Sequence, residues 1–301
     1  MVGSALHARL NREECEVLTV ARSTLDLRRQ ADVEAWMGEN RPDIVVVAAA
    51  TVGGIVANDT KRGEFIFDNI MIAANIVHAC WEADVEKLLY LGATCMYPKF
   101  APQPLTEDSL FTGPIEPTNI AYATAKIAGV QLCDAYRRQY GCNFISALPT
   151  SVYGENDNFS IESGHVLPAL INKIHAAKQS SQQTVEIWGS GKPLREFLYV
   201  HDLADALIFL LRKYSQEGPI NVGGGVEISI SGLAHAIADI VGFDGEFCYD
   251  ESKPDGTPRK LADNSRLEAM GWQPKTEFRV GLQNTYRGYK ETVAENTEAC
   301  I

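Results

Sequence analysis

The sequence has no long uninterrupted apolar run. A membrane-spanning helix needs about 18 consecutive apolar residues, and the most apolar stretch, residues 43–50 (DIVVVAAA), is only long enough for a buried strand. The first residues (MVGSAL) carry no basic segment and no long apolar core, so we expect no secretory signal here. Neither a membrane partner nor secretion is predicted.

Basic residues are also scarce. Lys and Arg number 27 against 39 Asp and Glu, a net charge of −12, which argues against a nucleic-acid partner because a phosphate backbone requires a basic surface. The seven cysteines are odd in number and have no paired spacing. They indicate reduced thiols in a cytoplasmic protein, with neither a disulfide framework nor a metal site. With 46% hydrophobic and 22% charged residues, the 301-residue chain is an ordinary globular protein.

What the chain does have is a regular alternation of helices with apolar strands. Helical patterns at residues 5–10, 33–37, 65–83 and 121–140 alternate with β-rich segments at 16–21 (EVLTVA), 44–50, 87–94 and 143–149. This order is typical of βαβ units and predicts an α/β fold with a doubly wound, Rossmann-type parallel sheet. After Pro149, turn-rich segments separate shorter elements, which indicates a second, smaller C-terminal α/β domain.

The carboxyl ends of the strands mark where a ligand should bind, since doubly wound sheets bind ligands beyond that edge. Three segments should line the site: residues 48–58 (AAATVGGIVAN), 92–98 (GATCMYP) and 149–158 (PTSVYGENDN). Gly53 and Gly54 would permit close approach of a cofactor. The alternative is that they form tight turns.

Tyr122 and Lys126 stand one helical turn apart, on one face of a helix that follows a predicted strand. A nearby cation favours the tyrosinate, so we expect Lys126 to lower the pKa of Tyr122 and to make the phenol a donor or acceptor of a carbonyl proton. The same spacing at Tyr249 and Tyr286 is interpreted as chance, because only Tyr122 opens a helix just after a strand whose C-terminal end should line the cofactor site. The alternative for Tyr122 is a surface helix pair.

Several longer blocks carry a resemblance to a known family. They are VGGIVAN (52–58), KLLYLGATCMYP (87–98), EPTNIAYATAKIAG (116–129), PTSVYGENDNF (149–159), WGSGKPLREFLYVHD (188–202), NVGGG (221–225) and SKPDGTPRKL (252–261). With these blocks the chain resembles the extended short-chain dehydrogenase/reductases, and within them the GDP-L-fucose synthase family. The blocks cover nearly the whole chain in order. The resemblance implies a dinucleotide-binding domain at residues 1–160 and 196–224, and a sugar-nucleotide substrate domain at 161–195 and 225–301.

The resemblance also implies catalytic roles. The substrate would be a 4-keto sugar nucleotide, whose carbonyl acidifies the C3 and C5 protons, so epimerisation needs an acid and a base beside the ring. By resemblance Cys95 and His165 form that acid/base pair, Tyr122 protonates O4 during hydride transfer to C4, and Lys126 binds the nicotinamide ribose. The alternatives are a buried structural thiol at Cys95 and a surface turn at His165.

For the substrate's diphosphate and guanosine the resemblance implies Lys173, Trp188, Arg195 and Asp255. Arg195 suits a bidentate phosphate contact, and Asp255 could accept hydrogen bonds from guanine. The alternatives are core packing for Trp188 and a solvated helix face for Lys173.

The cofactor predicted is NADP(H). NAD binders carry an acid at the end of the second strand, whereas a 2′-phosphate favours arginine, and here Arg22 follows the segment EVLTVA. The alternative is an ordinary exposed arginine. The remaining cofactor positions implied by resemblance are Gly3, Leu91, Gly92, Ala93, Thr94, Lys126, Pro149, Thr150, Ser151, Val152 and His165.

The sequence departs from the family pattern at Ala93, where the family has a serine hydroxyl that assists the tyrosine. Loss of one such hydrogen bond can cost on the order of 10² in rate. We expect a slowed reductase, with Thr94 as an imperfect catalytic substitute because neighbouring side chains at a strand end face opposite sides. A smaller departure is Ser151, where the family usually has asparagine.

The second departure is the start. The family opens with a central strand and a GxxGxxG turn that binds the cofactor pyrophosphate, and here Gly3 alone matches the last of these glycines. The expectation is that the first strand and most of the Gly-rich loop are absent because the start codon is placed too late. A truncated protein is the alternative, and the DNA upstream of Met1 would decide.

Together these features predict a cytoplasmic, NADPH-dependent enzyme, and the resemblance implies a homodimer. It would convert GDP-4-keto-6-deoxy-D-mannose to GDP-L-fucose by C3/C5 epimerisation and C4 reduction, with the dimer formed through the long helices. The alternatives are a related sugar-nucleotide reductase or epimerase, for example on a 3,6-dideoxy sugar, and a catalytically impaired NADP-binding protein.

Overall fold

The structure, a computed structural model, describes residues 1–298. The helices are α1 (Val2–Leu10), α2 (Gln30–Asn40), α3 (Ile55–Thr60), α4 (Arg62–Glu82), α5 (Ile120–Tyr140), α6 (Val166–Gln179), α7 (Val200–Lys213), α8 (Ile230–Val241), α9 (Ser265–Ala269) and α10 (Phe278–Glu298). The strands are β1 (Ile44–Val47), β2 (Lys87–Leu91), β3 (Asn143–Pro149), β4 (Ser151–Tyr153), β5 (Thr184–Trp188), β6 (Leu194–Tyr199), β7 (Pro219–Val222), β8 (Glu227–Ser229), β9 (Glu246–Asp250) and β10 (Arg259–Lys260).

The main sheet is parallel and has the order β1-β2-β3-β7. Its strands are apolar because both faces are covered. Leu88 and Tyr90 of β2 lie in the core formed with α2, α4 and α5, and the alternate residues Leu89 and Leu91 lie in the core formed with α1 and α7. The predicted α/β fold with a doubly wound parallel sheet is therefore confirmed.

The second half of the chain adds two smaller sheets. Strands β10, β6 and β4 form a parallel sheet in that order, β8 pairs with β6 in antiparallel fashion, and β5 pairs with β9. Residues of α6, α8 and α10 share a core with them. The proposed boundary between two domains stays a prediction, and the last residues assigned to the substrate domain, 299–301, lie outside the described residues.

The structure contradicts one predicted strand. Residues 16–21 (EVLTVA) are β-rich but form no strand, and no strand within residues 1–298 pairs with them. A strand is stabilised by its neighbour in the sheet, so composition is not sufficient without a partner ladder.

Two further observations concern cysteines and membrane segments. The six cysteines within the described residues, Cys15, Cys80, Cys95, Cys133, Cys142 and Cys248, are free thiols, and Cys300 lies outside them. Across the described helices, none combines the length and apolarity needed to cross a bilayer.

Candidate active site

Tyr122 and Lys126 lie in the first turns of α5, the helix that precedes β3. Lys126 is buried and its Nζ donates to the Leu91 carbonyl at the end of β2, at 2.8 Å. The same Nζ lies 5.8 Å from the centre of the Tyr122 ring and 4.9 Å from that of Tyr90. The helix thus places both side chains at the carboxyl edge of the sheet, as the sequence predicts.

The predicted net lowering of the Tyr122 pKa is wrong. Burial raises the pKa of Tyr122 well above its ordinary value, with smaller increases from Cys95 and Tyr90. Burial also lowers the pKa of Lys126 to about 8. Desolvation outweighs the cation, whose ammonium is directed at the Leu91 carbonyl. The phenol is therefore held in its protonated form, which suits a proton donor.

Cys95 lies in a single helical turn, Thr94–Met96, just beyond β2. The loop is fixed on both sides: the Gly92 amide donates to Ala147 O at 2.9 Å, and the Tyr97 hydroxyl donates to Asn221 Oδ1 at 2.7 Å. Burial raises the pKa of the Cys95 thiol, and Lys260 makes the largest opposing contribution, ahead of a hydrogen bond with Asn119.

His165 stands at the N-terminal boundary of α6 and keeps an exposed surface. The backbone before it packs against the glycine pair predicted to face a cofactor: the Gly54 amide donates to Ser163 O at 2.9 Å, and a Cβ on Gly54 would lie 2.3 Å from Gly164 O. The close approach that Gly54 permits is therefore to the loop that positions His165.

Asp157 is a neighbour of His165 that the sequence did not single out. Burial lowers the pKa of His165, and the Asp157 carboxylate opposes that change; burial raises the pKa of Asp157. One Asp157 oxygen, Oδ1, accepts from the Asn158 amide at 2.8 Å, whereas the buried Oδ2 has no hydrogen-bond partner among the described residues. Burial prevails over this carboxylate, so the pKa of His165 lies below its ordinary value.

The predicted cofactor residues at the strand ends lie along one edge of the sheet. Leu91 ends β2 and Pro149 ends β3, and these strands run parallel. Thr150 is fixed by two hydrogen bonds of 3.1 Å: its amide donates to Val222 O, and its hydroxyl donates to Glu196 O. Ser151 and Val152 then begin β4. Ala93 is extended and contributes no hydroxyl, and Thr94 is buried.

The groups predicted to bind the cofactor phosphates are available for that contact. Gly3 lies in the first turn of α1, where backbone amides have no partner within the helix, and the space beside its Cα is open. Arg22 is exposed and has no hydrogen bond or ion pair within residues 1–298. The nearby Asp26 instead pairs with Arg28 at 2.8 Å. Free amides and a free guanidinium fit a dinucleotide with a 2′-phosphate.

The four predicted substrate-binding residues occupy the strands and loops of the second half. Lys173 Nζ lies 4.5 Å from the centre of the Trp188 ring and donates to Glu186 O at 3.1 Å. Arg195 donates to the carbonyls of Leu194 and Asp255, at 2.8 and 3.0 Å, and burial lowers its pKa to about 10.

The Asp255 carboxylate is exposed, and each of its oxygens accepts one hydrogen bond from Ser190, both at 2.7 Å. This arrangement fixes the carboxylate and leaves further lone pairs for a ligand.

Comparison with known proteins decides the family. The profile of the NAD dependent epimerase/dehydratase family matches residues 1–223. The chain is 52% identical to the GDP-L-fucose synthase of Sinorhizobium fredii over 98% of this chain and 94% of that protein. The chain belongs to the GDP-L-fucose synthase family. The predicted resemblance is thereby confirmed.

Two solved structures extend the comparison. A GDP-6-OMe-4-keto-L-xylo-heptose reductase from C. jejuni has a TM-score of 0.92 at 33% identity, covering 97% of this chain and 95% of that one. A GDP-L-fucose synthetase from Naegleria fowleri bound to NADP has a TM-score of 0.89 at 31% identity, covering 97% and 92%. Both solved structures therefore share this fold over nearly the whole chain.

Lys260 is the functional candidate that the sequence motifs missed. It interacts electrostatically with Cys95 and with His165, which come from different segments of the chain. The only available signal was its place in the block SKPDGTPRKL, where nothing distinguishes it from the adjacent Arg259.

Proposed function

We propose that the chain converts GDP-4-keto-6-deoxy-D-mannose to GDP-L-fucose, with NADPH as reductant. The observation that carries this proposal is the placement of Tyr122 and Lys126 in the first turns of α5, with the Lys126 ammonium 5.8 Å from the centre of the Tyr122 ring and 2.8 Å from Leu91 O at the end of β2, just before the loop that carries Cys95. Membership of the GDP-L-fucose synthase family supports it. The predictions of an NADP-dependent epimerase and reductase are confirmed at this level.

The epimerisation needs two groups that exchange protons with carbon. The 4-keto group makes the protons at C3 and C5 more acidic. A thiolate at Cys95 can therefore accept a proton from the ring while the negative charge moves to O4. His165, whose pKa is lowered by burial against the opposing effect of the Asp157 carboxylate, returns a proton on the opposite face. The pair thus inverts a centre without any change in oxidation state.

The reduction needs a proton donor at O4. NADPH, when bound, supplies the hydride to C4. Tyr122, kept protonated by burial, gives its proton to the developing alkoxide, and Lys126 at 5.8 Å from the ring stabilises the phenolate left behind. In this proposal Lys126 also binds the ribose, and the cofactor lies along the edge formed by Leu91, Gly92, Ala93, Thr94, Pro149, Thr150, Ser151 and Val152.

The remaining predicted contacts complete the proposal. Gly3 and Arg22 bind the cofactor phosphates. For the substrate, Arg195 and Lys173 bind the diphosphate, while Trp188 and Asp255 bind the nucleoside. The protein acts in the cytoplasm as a homodimer, formed through α4 and α5.

A second candidate function is reduction of a related GDP-4-keto sugar, because a GDP-heptose reductase superposes over nearly the whole chain. The deciding measurement is NMR of GDP-4-keto-6-deoxy-D-mannose in D₂O. Without NADPH the enzyme should exchange deuterium into C3 and C5, and NADPH should then yield GDP-L-fucose.

Reduction without exchange at C3 and C5 would favour the plain reductase. Tight NADPH binding with neither reaction would favour a cofactor-binding protein and contradict the proposal.

A further inference from the structure

Trp188, the last residue of β5, lies on the solvent side of the small sheet that β5 forms with β9. Side chains alternate along β5, so Val185 and Ile187 are buried, whereas Glu186 is exposed and Trp188 is half-buried. The indole N–H of Trp188 has no hydrogen bond within residues 1–298. A half-buried indole on the open side of a sheet offers a flat surface against which a nucleobase can stack.

Two ammonium groups lie over this indole within cation–π distance. Lys173 Nζ is 4.5 Å from the centre of the Trp188 ring, and Lys253 Nζ is 5.7 Å from it. Lys173 also donates to a β5 carbonyl at 3.1 Å, which fixes its direction. The Lys253 ammonium has no hydrogen bond or ion pair within residues 1–298. The nearby Asp250 carboxylate is bound instead by the amide and the hydroxyl of Ser252, at 3.0 and 2.6 Å. Lys253 is therefore free to donate to a ligand.

The turn that carries Lys253 also carries Asp255, and the fold holds both against the end of β5. The Gly189 and Lys253 amides donate to Asp250 O, at 2.9 and 3.2 Å. The Asp255 carboxylate is fixed by Ser190, and a Cβ on Gly189 would lie 2.3 Å from Asp255 Oδ1. Glycine thus permits the close approach of the carboxylate. A donor and an acceptor, two residues apart, both lie against the turn that follows the indole.

This donor and this acceptor match guanine better than adenine. Guanine carries acceptors at O6 and N7 next to N–H donors at N1 and N2, whereas adenine has a donor, its N6 amino group, in place of O6. An ammonium can only donate and a carboxylate can only accept. Lys253 can therefore bind O6 or N7 of guanine while Asp255 accepts from N1–H and N2–H. Opposite adenine, the ammonium would face an amino group and the carboxylate would face the N1 lone pair.

We propose that Lys253 is a specificity-determining residue, whose ammonium binds the O6 and N7 edge of the substrate's guanine and, with Asp255, selects guanosine over adenosine diphosphate sugars. This role rests on the function proposed above, which makes the substrate a GDP-sugar. Arg195 Nη2 donates to Asp255 O at 3.0 Å, so the same turn also contacts a residue of the proposed diphosphate site. No bond forms or breaks at the base, and Lys253 contributes to binding alone.

The test that does not depend on turnover is calorimetric titration with GDP, IDP and ADP. Saturating NADP keeps ADP out of the cofactor site. IDP retains O6 and N7 but lacks the 2-amino group. In Lys253→Met the affinities for GDP and IDP, and the preference for each over ADP, should fall about tenfold or more, because a charge-assisted hydrogen bond is lost. Lys253→Arg should keep the preference, since arginine binds the same edge of guanine.

The matched control is Lys192→Met, which removes an exposed ammonium two residues beyond Ser190. It should leave all three affinities within about twofold. An equal loss of GDP and ADP affinity in Lys253→Met would assign the ammonium to a phosphate and overturn the proposal. An unchanged GDP preference in a Lys253→Met variant that still binds NADPH, and is therefore folded, would overturn it as well.

The functional test is the split between KM and kcat for GDP-4-keto-6-deoxy-D-mannose. Lys253→Met should raise KM about tenfold and leave kcat within about twofold, because the base contact is equal in the ground state and the transition state. A fall in kcat at unchanged KM would contradict a role in base recognition. A wild-type protein that binds GDP through Lys253 but does not convert this sugar nucleotide would instead overturn the proposed reaction and leave guanine recognition intact.

Discussion

Ala93 stands where the family places a hydroxyl, and its extended backbone (φ −166°) suits a serine equally well. We expect Ala93→Ser to raise the rate of hydride transfer by about tenfold to a hundredfold, because the added hydroxyl supplies a hydrogen bond to the transition state. The measurement is single-turnover NADPH oxidation, with NADPH affinity as the control. A variant that reacts at the wild-type rate would show that the missing hydroxyl does not limit this enzyme.

Lys126 gives the reduction a pH dependence. Its pKa is lowered to about 8 by burial, so its charge is complete below that pH and is lost above it, whereas Tyr122 keeps its proton through the same range. Hydride transfer should therefore decline with a midpoint near pH 8. Lys126→Arg keeps its charge at every accessible pH, and it should abolish the decline. A wild-type midpoint retained in Lys126→Arg would assign the titration to another group.

The residue predictions failed where burial or tertiary contact decides the chemistry. The four-residue spacing placed Tyr122 and Lys126 correctly, but it carries no information about desolvation, which reverses the expected shift of the Tyr122 pKa. Lys260 lies opposite Arg195 only because β10 pairs with β6, a long-range pairing that no local pattern records.

At the scale of elements, the Val52–Gly54 loop supports the loop before His165. Adding a methyl group at Gly54 would place it 2.3 Å from Gly164 O, so Gly54→Ala should cost about 1–3 kcal/mol of stability and impair C3/C5 exchange more than NADPH binding. Gly63→Ala is the matched control: nothing lies within 4 Å of the added carbon, and alanine should stabilise α4 by about 0.5–1 kcal/mol. Urea titrations and exchange rates compare the two. Equal stabilities would refute the packing argument.

Lys87 links the start of β2 to the end of α7. It is buried, and its Nζ donates to the carbonyls of Leu210, Leu211 and Tyr214, at 3.3, 2.6 and 2.6 Å. The Leu211 and Tyr214 carbonyls lie at the C-terminal end of α7, where carbonyls lack a partner within the helix, whereas Leu210 O also accepts from the Tyr214 amide at 2.9 Å. Lys87→Met should therefore lower the free energy of unfolding by about 1.5–3 kcal/mol, measured by chemical denaturation. The exposed Lys213→Met should shift the free energy of unfolding by no more than about 0.5 kcal/mol. A similar loss in both variants would show that Lys87 does not stabilise the end of α7.

The sequence predicted the elements of the main sheet well, because burial on both faces makes each strand an apolar run between helices. The predicted strand at residues 143–149 has the bounds of β3, and the helix predicted at 121–140 differs from α5 by one residue. The strand predicted at residues 16–21 is wrong, because a strand forms only where a neighbouring strand can hydrogen-bond to it, whatever its composition.

For the whole molecule, the alternation of helical patterns with apolar strands predicted the fold class, and the ordered blocks predicted the family, because both are spread along the full chain. The pairing of β5 with β9 and of β6 with β10 in the second half could not be predicted. Those strands are short and far apart in sequence, so local periodicity does not reveal which of them meet.

The proposed dimer can be tested by a substitution on the exposed face of α4. On α4, Phe67 is 59% exposed, and Met71, Ala74 and His78 continue its face at helical spacing, each half-buried. An arginine at the centre of an apolar helix interface would bury an unpaired charge, so Ala74→Arg should convert a dimer to a monomer without unfolding it. Light scattering coupled to gel filtration measures the mass at several concentrations. Ala31→Arg, exposed on α2, should leave the dimer intact, and a wild-type protein that is monomeric at micromolar concentration would exclude this interface.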